Sequence, residues 1–336
     1  MSRVQLFDHF GIKVAELDIN ASRTWKIGEY GRGVFELPVN HLKCTEENLQ
    51  FGNLIYIDHP KLPPWGGVID VPREWNRNTV TINAYSAEYI LKFRRDDSIN
   101  ELTNTPGNIF NYIINVANRN GDTRIKKDYT LSEEESIAWE LNLLDMYDEV
   151  TRLAEDTENE WILVPRVVDG ELEFLAQWAK ELGVETNFLL KEGFNIESGN
   201  AIISESGEIA NDILGTGTGT TKANKPKVTT KDQTSIKNYG LRQTSLTINE
   251  KEYQAVAIAT KAELSNKKNP QKTFSLVALD IGDTWKNINL GNKMYLQMRN
   301  VGFQHGALGL DTEIRITGMT YQEDENKLEL NCEEIL

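Results

Sequence analysis

Histidine, cysteine and closely spaced carboxylates are the side chains through which this chain could do chemistry, and their spacing argues against most reactions. The four histidines, His9, His41, His59 and His305, form no HExxH motif and no other close pair at metal-ligand spacing. Asp58, His59 and Pro60 make the most suggestive local cluster. A turn residue beside a proline is the favoured reading of it over a catalytic histidine. The two cysteines, Cys44 and Cys332, lie far apart with no CxxC or Cys/His grouping, so neither a disulfide framework nor a zinc site is expected. Two reduced thiols in a chain made in the cytosol is the plain interpretation.

Carboxylate pairs are abundant and unspecific. Glu133 to Glu135 read as a helix-start or loop cluster, and Glu171 and Glu173 share one face of an expected strand. A glycosidase needs two carboxyls at a set separation across a cleft, which spacing alone does not supply. No GxSxG elbow occurs. The run from Gly215 through Thr216, Gly217, Thr218, Gly219, Thr220 and Thr221 to Lys222 fails the phosphate-loop spacing and has no apolar strand before it. It reads as an extended strand or linker. Gly28, Gly31 and Gly33 do not spell a dinucleotide fingerprint. Trp65, beside Gly66 and Gly67, and Trp75 are buried turn tryptophans in the first instance, with an interface or a sugar platform as the other readings. No residue is assigned a catalytic, cofactor-binding or metal-ligating role.

The elements that must position these residues are mostly strands. Residues 11–19, 34–39, 54–58, 67–71 and 79–85 are short runs bounded by Gly, Pro, Asn and Asp. In the last, Val80, Ile82 and Ala84 alternate with Thr79, Thr81 and Asn83, the period of a half-buried strand. Residues 86–93 fit a short helix or a strand equally well. A helix is predicted from Pro106, with Ile109, Phe110, Ile113, Ile114 and Ala117 on one face and an end at 118–121. A second starts at an Asp145 cap and buries Met146, Val150, Leu153 and Ala154. A hairpin over 161–164 and 171–175 turns at Asp169 and Gly170.

Beyond residue 181 the chain is polar and glycine-containing, and 215–231 reads as a linker or exposed loop. A short helix follows Asp232 and stops at Gly240. A long helix near 249–268 has Asn249 and Glu252 as a capping box. Its predicted packing stripe is Ala255, Ile258, Ala259 and Ala262, interrupted by Thr260; Tyr253, Val256, Ala257 and Leu264 add apolar surface beside it, so the face is broad, and Asn269 and Pro270 end the helix. Strands at 274–280, 293–299, 313–320 and 327–332 close the chain.

The 336 residues suggest two or three domains. Aromatics at 9% argue against disorder, and a formal charge of −15 argues against a dedicated nucleic-acid binder. The N-terminal sequence has no apolar signal-peptide core, and no segment is apolar enough to span a membrane. Residues 1–95 hold 12 basic and 11 acidic residues, 96–215 hold 8 and 26, and 216–336 hold 16 and 14. The net charges of +1, −18 and +2 outline a three-part chain. They put the strongest negative field on 96–215, as an outward or subunit-bridging part; an acidic bore would need uneven placement within the strand-rich parts.

The order of parts, together with particular stretches, resembles the tail hub proteins of tailed phages, and through them the N-terminal part of tail-associated lysins. These stretches are residues 64–70 (PWGGVID), the strand 80–85, PGNIFNYIINVAN at 106–118 and MYDEVTRLAEDTENEWIL at 146–163. Later come Gly215 to Gly219, residues 232–235 and 239–243, the 249–268 helix, Phe274 to Leu279, Leu290 with Gly291, and the final strands.

The resemblance implies a mainly β fold with an α+β insertion. Its parts would be a first β-barrel tube domain at 1–95, an acidic α+β middle domain at 96–180, and a second β-barrel tube domain at 181–336 carrying the Gly/Thr linker and the 249–268 helix. It implies a homotrimeric ring, in the tail tip or baseplate of a virion assembled in the host cytoplasm, that adapts a sixfold tube to a threefold tip and lines or gates the DNA ejection channel. The implied partners are a distal tail or tail tube ring, a tape measure protein and tail fibre or receptor-binding tip proteins, with DNA passing without specific binding. No cofactor and no enzymatic activity are implied. Tail-associated lysins continue into a long C-terminal extension, and this sequence stops about where the second barrel would. It is therefore a short hub or a piece of a longer protein. A cell-wall glycan-binding or glycan-hydrolysing tail protein, using Trp65, Trp75 and nearby carboxylates, is the alternative.

Overall fold

The computed structural model describes residues 2–96, 100–119, 121–127, 135–141, 145–219, 225–249, 251, 253–304 and 307–335. Two compact units emerge, one of residues 1–201 with 275–336 and one of residues 202–274.

The larger unit opens with seven strands: β1 (Arg3–Phe7), β2 (Lys13–Leu17), β3 (Ala21–Lys26), β4 (Arg32–Pro38), β5 (Leu54–His59), β6 (Leu62–Trp75) and β7 (Thr79–Ser86). The alternation expected in β7 is realised: Val80, Ile82 and Ala84 are buried. The undecided stretch after it is a 3-10 helix, Ala87–Phe93. β1 and β3 were not anticipated.

The middle region is α+β, as the sequence indicates. β8 (Asn100–Asn104) pairs with β10 (Ile137–Leu141), and β9 (Ile125–Lys127) lies parallel to β12 (Glu171–Ala179), itself the partner of β11 (Glu160–Val168). The β11–β12 hairpin turns where Asp169 and Gly170 take φ of 52° and 86°, the left-handed pair that a tight hairpin requires. Helix α1 (Pro106–Arg119) buries the predicted face of Ile109, Phe110, Ile113, Ile114 and Ala117. Helix α2 (Met146–Thr157) is capped by Asp145, whose carboxylate accepts from the Asp148 amide at 2.9 Å. Both helices share one core with Trp161, Phe174 and Trp178 of the hairpin, and with Phe7, Leu54 and Val68 of the first strands.

The unit closes with β13 (Glu185–Lys191), the part of β18 (Gln271–Ala278) from Ser275 onward, β19 (Lys293–Gln304), β20 (Ala307–Gln322) and β21 (Lys327–Glu334). Here the structure departs from the expectation of two closed barrels. The strand-rich ends of the chain are hydrogen-bonded into one sheet, in the order β18-β21-β20-β3-β4-β7-β6-β5-β1-β2, with β19 and β13 branching from β20. The first half of β20 pairs with β19, and Gly318 to Tyr321 pair with Lys26 to Arg23 of β3. A 16-residue strand is long enough to serve both neighbours in turn, so it joins the two parts. Among the described residues this strand order does not close on itself.

The smaller unit contains β14 (Ile202–Ser206) and a three-stranded sheet. In that sheet β15 (Asp212–Thr216) is central, antiparallel to β16 (Lys227–Lys231) and parallel to β17 (Gln243–Thr247). The expected linker over 215–231 is thus, in its described residues, largely paired strand; residues 220–224 lie outside the description. Helix α3 (Gln233–Tyr239) is capped by Asp232 and ended by Gly240 at φ 76°, as predicted.

Helix α4 (Tyr253–Lys267) occupies the expected place but packs through residues beside the predicted stripe and not through the stripe itself. Val256, Thr260 and Leu264 are buried, whereas Ile258 is 72% exposed and Ala262 is exposed. The Thr260 hydroxyl donates to the Val256 carbonyl at 2.6 Å, so the side chain enters the interface with its polar atom already satisfied. Asn249 precedes the helix by four residues, and Glu252 of the expected capping box lies outside the described residues.

Candidate functional site

The predicted chemical residues are dispersed. His59 sits where β5 turns into β6, its Nδ1 accepting from the Lys61 amide at 3.2 Å and its ring 5.4 Å from Tyr321. Burial, then the nearby Arg23 charge, pushes its pKa down. It is the last residue of β5, paired with Leu62, and the expected turn falls on Pro60 and Lys61 just after it. His305 and Glu133 lie outside the described residues. Cys332 is buried, which raises its thiol pKa, and both cysteines are free. Glu171 pairs with Arg124 at 2.5 Å and Glu173 with Arg166 at 2.6 Å, so each carboxylate is held by its own arginine. Among the described residues no group of three or more His, Cys, Asp or Glu could hold a metal ion, and no helix is long and apolar enough to cross a membrane.

The two tryptophans separate. Trp65 is 1% exposed and lies inside β6 rather than at a turn; its indole N–H donates to the Thr24 carbonyl at 2.9 Å. Trp75, at the far end of β6, is 59% exposed. A sugar platform using both rings is therefore not formed.

One cleft of the larger unit has a volume of about 370 Å³. Trp25, Trp65, Pro64, Pro165, Leu182 and Leu290 give it apolar walls, and Glu88 stands among them. Glu88 is buried and projects from the 3-10 helix. One carboxylate oxygen accepts from the Ser86 hydroxyl at 2.5 Å and the other from the Leu163 amide at 2.8 Å. Desolvation dominates these hydrogen bonds and pushes its pKa up to about 7. Sequence reasoning missed Glu88; the signal was the one carboxylate in the mostly apolar AEYILKF run, which has Lys92 as its only other charge.

Two arginines mark the seams of the sheet. Arg315 on β20 reaches Glu160 at 2.5 Å, Glu181 at 3.2 Å and Glu333 at 3.4 Å, tying β20 to the start of β11 and to β21. Burial opposes its charge, and the three glutamates more than offset that, so its pKa is raised. Arg23 on β3 is fully buried, donates to the Ala21 carbonyl at 2.9 Å, and faces Glu323 at 3.6 Å. Its guanidinium also lies 4.9 Å from the Tyr321 ring centre. Here burial wins, and the pKa falls to about 10. These groups neutralise one another and leave no polarised nucleophile, so their chemistry is that of joints.

Residues 184–333 match the protein family described as "Prophage endopeptidase tail". No curated protein matches the chain in sequence. Several solved structures share the fold. The prophage tail protein gp18 from Listeria monocytogenes aligns with a TM-score of 0.64 at 13% identity, covering 98% of this chain and 94% of its own. The 43 kDa tail protein of prophage MuSo2 from Shewanella oneidensis aligns at 0.62 and 15% identity, covering 99% and 98%. The E. coli c3393 protein, a component of the type VI secretion system, aligns at 0.53 and 11% identity, covering 95% of this chain and 73% of its own. At these identities the likeness is one of fold.

Proposed function

We propose that this chain is a structural hub of a phage tail tip or baseplate. Three copies form a ring that adapts a sixfold tail tube to a threefold tip and lines or gates the channel through which DNA leaves. The observation that carries this reading is the two-way coverage of the fold: at least 94% of this chain and of each of two prophage tail proteins is aligned. The family description for residues 184–333 also contains the word tail.

Each strand-rich part supplies one tube-type wall, so three copies supply six. The acidic middle part, residues 96–180, lies outside the bore or bridges subunits. The partners are a distal tail or tail tube ring, a tape measure protein and tail fibre or receptor-binding proteins. DNA passes without specific binding. The hub sits in the virion tail after assembly in the host cytoplasm, and it does no catalysis.

Size-exclusion chromatography with light scattering, and electron microscopy of the full chain alone and with tail partners, test this. The expected result is three times the chain mass and a ring with a central channel. A strictly monomeric chain at high concentration, with no ring beside tail partners, refutes it. The word endopeptidase in the family description motivates a second assay. Peptidoglycan clearing that a single Glu→Gln change abolishes would replace the structural reading with a hydrolytic one.

A further inference from the structure

The cleft that holds Glu88 lies in the larger unit and has no part in the hub reading. Its volume of about 370 Å³ is that of a small-ligand site. The tryptophans in its walls spend their indole N–H groups on the protein itself. Trp25 donates to the Pro64 carbonyl at 3.1 Å and Trp65 to the Thr24 carbonyl at 2.9 Å, so what they offer a guest is ring carbon. Pro64, Pro165 and Leu290 add further apolar wall.

Glu88 is the exception in that wall. Ser86 and Leu163, which hold its two carboxylate oxygens, line the same cleft. An ionised carboxylate accepts about four bonds. Ser86, Leu163 and the amide of Glu88 itself do not fill that capacity, and burial outweighs all three. No ion pair to Glu88 forms among the described residues. Lys26, the other charged side chain among the lining residues, is paired with Glu29 at 2.6 Å. The charges on the elements packed around Glu88 are also engaged elsewhere: Lys92 with Asp148, Arg152 with Glu149 on α2, and Glu160 with Arg315 and Arg166 with Glu173 on β11. On β6, Asp70 accepts from the Val71 amide and Arg73 donates to the Leu49 carbonyl. The cleft thus has an apolar body and one buried acid without a counter-ion.

We infer that this cleft binds a primary ammonium group carried on an unbranched apolar stem, the stem against the tryptophan and proline walls and the ammonium on Glu88. Charge complementarity selects the cation, and a buried carboxylate gains most from a partner that shares its desolvated site. An ammonium is a compact point charge with three donors, which suits a carboxylate whose oxygens are both partly occupied; a guanidinium fork needs two open lone pairs side by side. Lysine side chains and free alkylamines both carry this group. Binding and protonation exclude each other at Glu88, so the two are linked.

The test titrates the full chain by calorimetry at pH 6 and pH 8 with n-pentylamine, and with n-pentanol as the uncharged control of the same shape. The amine, with an ordinary pKa of about 10.4, is charged at both. With the Glu88 pKa at about 7, the site is mostly ionised at pH 8 and must release a proton at pH 6. The amine should therefore bind about tenfold more weakly at pH 6, with close to one proton released per amine, read from buffers of different ionisation enthalpy. Pentanol should show neither effect. Glu88→Gln should weaken the amine at least tenfold at pH 8 and abolish the pH dependence; the wild-type pH pair decides the matter even where that variant fails to fold. Equal binding of amine and alcohol at pH 8, amine binding without proton release, or no amine binding at millimolar concentration each overturns the inference. Nα-acetyl-lysine N-methylamide separates the sources: binding tighter than pentylamine assigns the cleft to a lysine of a partner chain, and weaker binding assigns it to a free alkylamine.

Discussion

Glu88 makes the stability of the larger unit depend on pH in a direction opposite to most carboxylates. Its folded pKa of about 7 stands above the ordinary 4.5 because burial disfavours the charge. Between pH 4.5 and 7 the native chain keeps a proton on Glu88 that the unfolded chain has released. The associated stability is therefore complete below pH 4.5, is lost as pH rises through 7, and then stays constant. At about 1.4 kcal/mol per pH unit, the gap corresponds to about 3 kcal/mol. Glu88→Gln removes the titration while keeping an oxygen to accept from the Leu163 amide. Guanidinium unfolding followed by tryptophan fluorescence reports the same core, since Trp161 and Trp178 lie in it. Between pH 5 and pH 8 the wild-type chain should lose about 3 kcal/mol relative to the variant, with both chains sharing every other titrating group. Parallel pH profiles for the two chains would refute the reasoning, because they would mean that Glu88 is ionised and solvated in the folded state.

Two further substitutions probe packing. Gly215→Ala places a Cβ 1.8 Å from Thr260 Oγ1, and should weaken the 202–274 unit by about 1–3 kcal/mol, seen as faster hydrogen exchange in β15. Thr260→Ala in the same chain should restore most of the protection, and failure to do so would place the strain elsewhere. Trp65→Ala should cost about 3–5 kcal/mol of stability, whereas Trp75→Ala should stay within about 0.5 kcal/mol, measured by denaturation. A large loss at Trp75 would contradict its exposure.

Local signals were legible in the sequence because each acts within a few residues. Asp145 and Asp232 cap helices through their own third-neighbour amides, and Asp169 with Gly170 sets a turn by left-handed backbone alone. The α4 face was misread for a physical reason. With Ala255, Val256, Ala257, Ile258 and Ala259 in succession, the pattern selects no single stripe, and Thr260 counts as polar until its hydroxyl is seen bonded to Val256. Glu88 and Arg315 gained their meaning from partners far along the chain, Leu163 and Glu160, which no local window contains. The same holds for the pairing of Thr24 with Thr320, which turned two expected barrels into one sheet.

That pairing rests on only four residue pairs between β3 and β20, so its register needs a further constraint. A slip of one residue would move every side chain of β3 to the opposite face. Arg23 would then leave Glu323 and the Tyr321 ring, and its buried guanidinium would lose its countercharge. Arg315 constrains β20, the other strand of the pair, beyond the Gly318 end of the seam, through Glu160 and Glu181. Ion pairs of this kind add little net stability, yet breaking one costs about 3–5 kcal/mol because a charge is left buried and alone. Their part here is to make the shifted registers expensive rather than the native one strong. A chain whose two strand-rich ends must meet across nearly 300 residues needs that discrimination at the seam more than anywhere else in the sheet.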